Sequence, residues 1–473
     1  MTSSTLAGDA HHRARRWDVV VLGGALPGLV AAIRLGMARL RVLVVEEDAA
    51  ARAPALSREP FFLGGGGSED VLGACLQTLG IPMIDRRGFE SDPIAFQVLL
   101  PEARVEVGGI AATAEELSAW GLAKPEKARE VVRSLEAAAQ AECEAMREAP
   151  IVRRGALRSL PRAPGAGRTT RHLRGLPDSV AHPSAELTPF FEAQVRVLSG
   201  MGEGTPSPEA RARLLGSPLQ GGSGFNKAGT GLRALLRHRI TSLHGEFRSI
   251  DCPFELIELG DHPGIARIGP NDFWLGRTLL VNAPISLVAG ALEGWNRDPS
   301  PYLQMRGSVP RHRRISVHLR AQRDVVPEAL ARRAILVSDP AAPLVGTNAI
   351  ALTVHPSERG GLFAEVVASA VVEDDPKILA ESDAGIEEAV RRLMPFSQGR
   401  ISRIPNPARP LWDDEAAAPT PERGDGWPGE VEIHTPGRRP VFCLPREGLA
   451  GLGLEGDLLL GWRAGDAIRA ELS

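Results

Sequence analysis

Residues 17–48 read WDVVVLGGALPGLVAAIRLGMARLRVLVVEED. Val19, Val20, Val21 and Leu22 form an unbroken aliphatic run. A glycine turn follows, then a stretch of small and aliphatic residues (28–39) and a second run (42–45) that closes on Glu46. Unbroken runs suit parallel strands buried on both faces, and the segment between them is about the length of a crossover helix. The pattern predicts a βαβ unit whose turn lies at a helix N-terminus. Unpaired N–H groups and the helix dipole favour a phosphate there.

Gly23, Ala25 and Gly28 occupy the three positions of G-x-G-x-x-G, so the middle position carries a methyl group. The first glycine permits the tight turn and the third lets helix and strand pack closely. The middle one lets the backbone approach a pyrophosphate, and a methyl there pushes the ligand back. Glu46 follows Gly28 by eighteen residues, at the end of the second strand, where an acid holds a ribose hydroxyl pair. The candidate nucleotide contacts are therefore Gly23, Gly24, Ala25, Leu26, Pro27 and Gly28, with Glu46 and Glu47 beyond them. The competing reading is a βαβ unit without a nucleotide, its acid merely closing a strand.

A chain of 473 residues is long enough for two or three domains with separate cores. Its net charge of −3 sets up no field for nucleic acid. A single tyrosine, Tyr302, argues against a base-stacking platform. Cys75, Cys143, Cys252 and Cys443 lie far apart and form no C-x-x-C pair, so no metal cluster or disulfide framework is expected and a cytoplasmic location fits. Residues 1–16 carry basic side chains without an apolar core, unlike a signal peptide. No apolar run approaches the ~20 residues of a membrane span, and the expectation is a soluble protein or one peripheral to the membrane's inner face.

Along the chain, residues 69–79 read as an amphipathic helix, 94–107 as a hairpin turning at Pro101 and Glu102, and 125–149 as the strongest helical pattern. Residues 150–177 are basic, either a loop for an anionic membrane surface or a solvated linker. Residues 64–67 are four glycines, read as a loop, and 185–201 is helical. Residues 220–231 form a second glycine-rich turn that opens a helix over 232–243. Strands are expected at 254–259 and 278–281. Strands at 315–319, 335–337, 349–354 and 363–372, joined by short turns, predict an antiparallel sheet. A helix over 385–394 ends at Pro395, and 406–429 is a proline-rich acidic connection. His318 and His355 fall in these strands, where they either face a substrate cavity or are ordinary satisfied side chains; neither is assigned a catalytic role. At the C-terminus a short strand (441–444) leads into a turn of Gly451, Gly453 and Gly456 and a helix over 457–472.

Four collinear segments now carry a resemblance. They are VVVLGGALPGLVAA…VLVVEE, GTGLRALLRHRITSLHGEF, VNAPISLVAGAL and GLGLEGDLLLGWRAGDAI. The whole chain resembles the phytoene desaturase and amine-oxidase-like group of FAD-dependent oxidoreductases. The resemblance implies an α/β fold, a Rossmann-type FAD-binding domain (15–90, 216–290 and 435–473) with an inserted mixed α+β substrate domain (91–215 and 291–434). It implies FAD against Gly23, Ala25 and Gly28, its adenosine ribose on Glu46, and its ring facing Gly453, Leu454, Glu455 and Gly456. It also implies a hydrophobic, polyene- or isoprenoid-like substrate oxidised by hydride transfer to the flavin. The chain departs from the group at Ala25, at Arg52-Ala53 and at Leu444-Pro445-Arg446. The alternative expectation is a non-catalytic scaffold or binding protein that has lost FAD.

Overall fold

The computed structural model describes residues 16–65, 70–148, 152–153, 176–225, 231–268, 272–283, 312–356, 361–405, 431–432, 434–435, 441–444, 446 and 451–472. The glycines at 66–67, most of the basic stretch 150–177 and the acidic stretch 406–429 lie outside these residues.

The opening βαβ unit forms as expected, with β1 (Arg16–Leu22), α1 (Leu26–Met37) and β2 (Val42–Glu47). The aliphatic run of β1 is fully buried, and each such side chain contributes about 1.5–3 kcal/mol. Pro27 sits in the first turn of α1, where no N–H is needed. Just past its end Arg39 takes a left-handed φ of 64°.

The chain continues through α2 (Val71–Thr78), a hairpin of β3 (Ile94–Leu99) and β4 (Arg104–Gly108), then α3 (Pro125–Glu148), α4 (Thr188–Ser199), α5 (Pro208–Gly216) and α6 (Leu232–Ser242). Next come β5 (Glu246–Ile250), β6 (Phe254–Leu259), β7 (His262–Arg267) and β8 (Phe273–Val281). After them follow β9 (His312–Gln322), β10 (Arg333–Val337), β11 (Ala349–Pro356), β12 (Phe363–Glu373), α7 (Pro376–Leu393) and β13 (Ile401–Arg403). The last elements are β14 (His434–Thr435), β15 (Val441–Cys443) and α8 (Gly453–Leu472).

The first sheet runs β14-β15-β8-β1-β2-β5, with β7 and β6 added beside β8. Its centre is parallel from β15 to β5. The C-terminal helix α8 packs on α1 across two glycines. A Cβ on Gly461 would meet the Pro27 carbonyl at 2.3 Å, and one on Gly465 would meet the Arg34 Cβ at 2.6 Å. Asp466 of α8 pairs with Arg34 of α1. Both ends of the chain therefore build one layered unit.

The second sheet runs β13-β9-β12-β11-β10-β3-β4. It is antiparallel throughout except where β10 meets β3, because the hairpin enters from far earlier in the chain.

Three readings need correcting. The last helix begins at Gly453 rather than residue 457, so Gly456 lies inside it and not in a turn. The helix expected over 385–394 starts at Pro376, where Asp375 caps it through the N–H groups of Lys377 and Ile378. Part of the 220–231 turn is a strand, Gly222–Phe225, paired antiparallel with Phe89–Asp92. Among the described residues no helix is long and apolar enough to cross a membrane.

Glu142 on α3 gives the fold a pH dependence. It is 1% exposed, and neither carboxylate oxygen has a hydrogen-bond partner among the described residues. Burial first, then the charge of Glu209, push its pKa from 4.5 up to about 7, with Arg213 opposing. Between those values the unfolded chain has released a proton that the folded one keeps, so stability falls as pH rises through that window. Glu142→Gln should remove up to about 3 kcal/mol of this dependence, seen as a flatter plot of unfolding free energy against pH than wild type. Parallel plots would show that Glu142 is ionised in the fold.

Candidate functional site

The site is built around the turn between β1 and α1. Gly23 has φ 105°, and a Cβ there would lie 2.1 Å from the Asn282 carbonyl oxygen, so the first position needs glycine. Gly28 is constrained by packing alone, since its Cβ would lie 2.4 Å from the Asn282 side-chain nitrogen and 2.9 Å from the Gly23 carbonyl oxygen. Ala25, the N-cap of α1, has φ −66° and ψ 160°, a conformation any residue adopts. Its methyl group therefore causes no backbone strain, and the residue is fully buried.

Asn282 follows β8 and completes the turn. Its side-chain N–H donates to the Ala25 carbonyl at 3.0 Å, and its Oδ1 is buried without a partner among the described residues. The strand order changes direction between β1 and β8, and a ligand crevice in an open α/β sheet lies outside the carboxyl ends of the strands at such a switch point. No side chain caps α1, and its first turn holds no acid. Its N-terminal amides are thus left for an anion.

The expected ribose acid is already engaged. Glu46 is 2% exposed, and both its oxygens accept from Arg237 of α6, whose guanidinium lies 4.0 Å from the Phe247 ring centroid. Gly24 makes room for this carboxylate, because a Cβ there would sit 2.2 Å from Glu46 Oε1. Glu47 is buried beside it. Arg233, one helical turn before Arg237, reaches the Gly24 carbonyl at 2.5 Å. The N-terminus of α6 is closed by Glu59, which accepts from Leu232 N at 2.7 Å and Arg233 N at 3.3 Å. Burial raises the Glu59 pKa, with Arg233 opposing.

A cavity of about 160 Å³ opens between the two sheets. Leu26 of α1 and the first turn of α8 (Gly453, Leu454, Glu455) meet in its wall. Gly453 has φ 54°, and a Cβ there would touch the Leu198 carbonyl oxygen at 2.1 Å, so glycine lets α8 start against the end of α4. Glu455 pairs with the buried Arg213, and Asp457 accepts from Arg446 at 2.7 and 2.8 Å. Gly456 is buried within α8 and does not line the cavity, nor do Glu46 and Glu47.

His318 and His355 do not line it either. His318 is 3.1 Å from Glu365, and burial lowers its pKa. Burial, then Arg332, Arg333 and His318, push the His355 pKa down to about 3. Both belong to the second sheet.

The sequence did not single out Asn282, Arg233 or Arg237. The spacing of the two arginines on one helix face was a signal for the latter pair, since residues four apart are neighbours. Nothing local marked Asn282.

No family model and no curated protein matches the sequence. Solved structures match the fold. Wild-type putrescine oxidase bound to putrescine is similar at a TM-score of 0.54 and 12% identity, covering 96% of this chain and 99% of that one. An oxidoreductase from Methanosarcina mazei gives 0.54 and 13%, over 95% of this chain and 99% of that one. Cyclohexylamine oxidase from Brevibacterium oxydans IH-35A gives 0.52 and 13%, over 97% and 99%. At such identity the likeness is one of fold. The fold class is α/β, the Rossmann-type fold of these oxidoreductases with an inserted mixed α+β region.

Proposed function

We propose that the chain is an FAD-dependent oxidoreductase of the phytoene desaturase-like group, taking a hydride from an apolar, polyene- or isoprenoid-like substrate. The observation that carries this is the uncapped N-terminus of α1 at the switch point of the parallel sheet. The residues present fit the cofactor there. The α1 amides suit its pyrophosphate, and the orphaned Asn282 Oδ1 is an acceptor for a hydroxyl. FAD would supply the redox chemistry. The chain's own residues would hold it at Gly23, Gly24, Ala25, Leu26, Pro27 and Gly28, place Glu46 at the ribose, and shield its ring with the start of α8. This reading divides the chain into a nucleotide domain of 15–90, 216–290 and 435–473 and a substrate domain of 91–215 and 291–434.

Two observations favour the second reading, a binding protein that has given up FAD. Glu46 is already held by Arg237, and the whole turn from Gly23 to Gly28 is buried. The visible absorption of the purified protein separates the two. The enzyme reading expects flavin bands, present at once or after adding FAD, and a colourless protein that refuses FAD ends it. In the flavin-bound protein Glu46→Gln should weaken FAD by about 1.5–3 kcal/mol, the contribution of a shielded charge-assisted bond. An unchanged dissociation constant would remove Glu46 from the site.

A further inference from the structure

Charge is unevenly distributed around the cavity. Five arginines line it (Arg58, Arg196, Arg213, Arg314, Arg446) against three acids (Asp70, Glu455, Asp457). All three acids are committed. Glu455 holds Arg213, Asp457 holds Arg446, and Asp70 caps α2 by accepting the Leu72 N–H at 2.7 Å.

Two of the remaining arginines are spent on the backbone. Arg58 donates to the Ala50 carbonyl at 2.7 Å, and Arg196 donates to the carbonyls of Met201 and Gly202 at 3.1 and 3.2 Å. Arg314, on β9, lines the cavity and has no acidic partner among the described residues. Burial, then Arg446, lower its pKa. A desolvated guanidinium without a counter-charge is unfavourable until an anion joins it.

Much of the rest of the wall is apolar, with Phe61, Phe62, Leu72, Leu198, Leu214 and Leu454 facing the same space, beside Ser199, Ser217 and Ser369. The planar fork of one arginine matches a carboxylate through two parallel hydrogen bonds. We infer that the cavity takes an apolar monocarboxylate, its carboxylate paired with Arg314 and its hydrocarbon body lying against the phenylalanine and leucine wall. This deepens the functional reading, on which it rests, by giving the largely hydrocarbon substrate a carboxylate end.

The test is calorimetric titration of the purified full-length chain with octanoate, 1-octanol and octylamine, three ligands that share a tail and differ in charge. Octanoate should bind at least roughly tenfold more tightly than octanol, with octylamine weakest. Arg314→Met should erase the preference for octanoate while leaving octanol unchanged, and Arg314→Lys should restore part of it as a point charge without the fork. Circular dichroism checks that each variant is folded. If Arg314→Met does not fold, Arg314→Gln and Arg314→Lys carry the comparison.

Equal affinity for octanoate and octanol in the wild type would overturn the inference, as would a folded Arg314→Met that keeps the preference. Displacement of octanoate by equimolar inorganic phosphate would overturn the carboxylate class in favour of a phosphate site. Failure of this inference and failure of the oxidoreductase reading are distinguishable. Octanoate preference in a chain that refuses FAD ends only the oxidoreductase reading, and a flavin-loaded chain without the preference ends only this one.

Discussion

Gly23→Ala is expected to destabilise the protein by about 2–6 kcal/mol, the sum of two independent penalties. The first is backbone strain. Gly23 has φ 105°, and holding a residue with a Cβ in such a sparsely populated region costs about 1–3 kcal/mol. The second is steric, because the new methyl would lie 2.1 Å from the Asn282 carbonyl oxygen. That oxygen belongs to backbone fixed by the Asn282 N–H donating to Leu22 O at 2.7 Å, so it has no rotamer to escape into. Forcing an atom into packed structure adds about 1–3 kcal/mol.

The control lies two residues away. Ala25→Gly changes the same turn by one methyl group but at φ −66°, so it should stay within about 1 kcal/mol of wild type. If FAD binds, this variant should also hold it more tightly, because the backbone can come closer to the pyrophosphate. Denaturant unfolding of the two variants side by side is the measurement. Equal losses would show that the turn is not held by the Gly23–Asn282 approach.

The same turn shows what the sequence made legible. Val19 to Leu22 and the run before Glu46 announced buried parallel strands because both faces of each are apolar, and the structure pairs them in register. The hairpin at 94–107 was readable from two strand-like runs meeting at Pro101 and Glu102, and the antiparallel block after residue 312 from strands joined by short turns. Polar strands were not. β5 (EFRSI) lies at the sheet's edge with little burial, and β7 (HPGIAR) carries a proline and a glycine, so neither shows an aliphatic run.

Glycines misled at the C-terminus. Gly456 reads as part of a turn, yet it sits in α8. Its near neighbours show what such glycines can do in a helix, since Gly461 and Gly465 admit α1. The site was legible where the chain is local, at Gly23 and Gly28. It was not where the partners are distant: Arg237 reaches Glu46 across 191 residues. Arg314 sits in a strand (HRRISVHLRAQ) whose basic residues look alike, although Arg313 finds Asp374 and Arg314 faces the cavity.

The second large effect concerns the ion pair that seats α8 against α5. Arg213 is 4% exposed, pairs with Glu455 through two nitrogens, and also donates to the Ala139 carbonyl at 2.8 Å. Burial pushes the Arg213 pKa down, but the charge and hydrogen bond of Glu455 more than offset this, and the net shift is upward. Arg213→Met should therefore destabilise the protein by about 3–5 kcal/mol, because it leaves the Glu455 carboxylate half-enclosed beside a methionine. The lost bond to Ala139 adds to that cost.

Glu455→Leu alone should also be costly, since it strands the more deeply buried partner. The double variant is the decisive one. With both charges replaced by apolar side chains of similar volume, at least half of the Arg213→Met loss should return, and what persists should be on the order of the 1–3 kcal/mol left by the unpaired Ala139 carbonyl. Unfolding free energies of the four proteins close a double-mutant cycle. Additive losses would mean that the two side chains act separately. In that case the pair could not be what holds the start of α8 at the cavity wall, and the close approach of Gly453 to Leu198 would be left to do so.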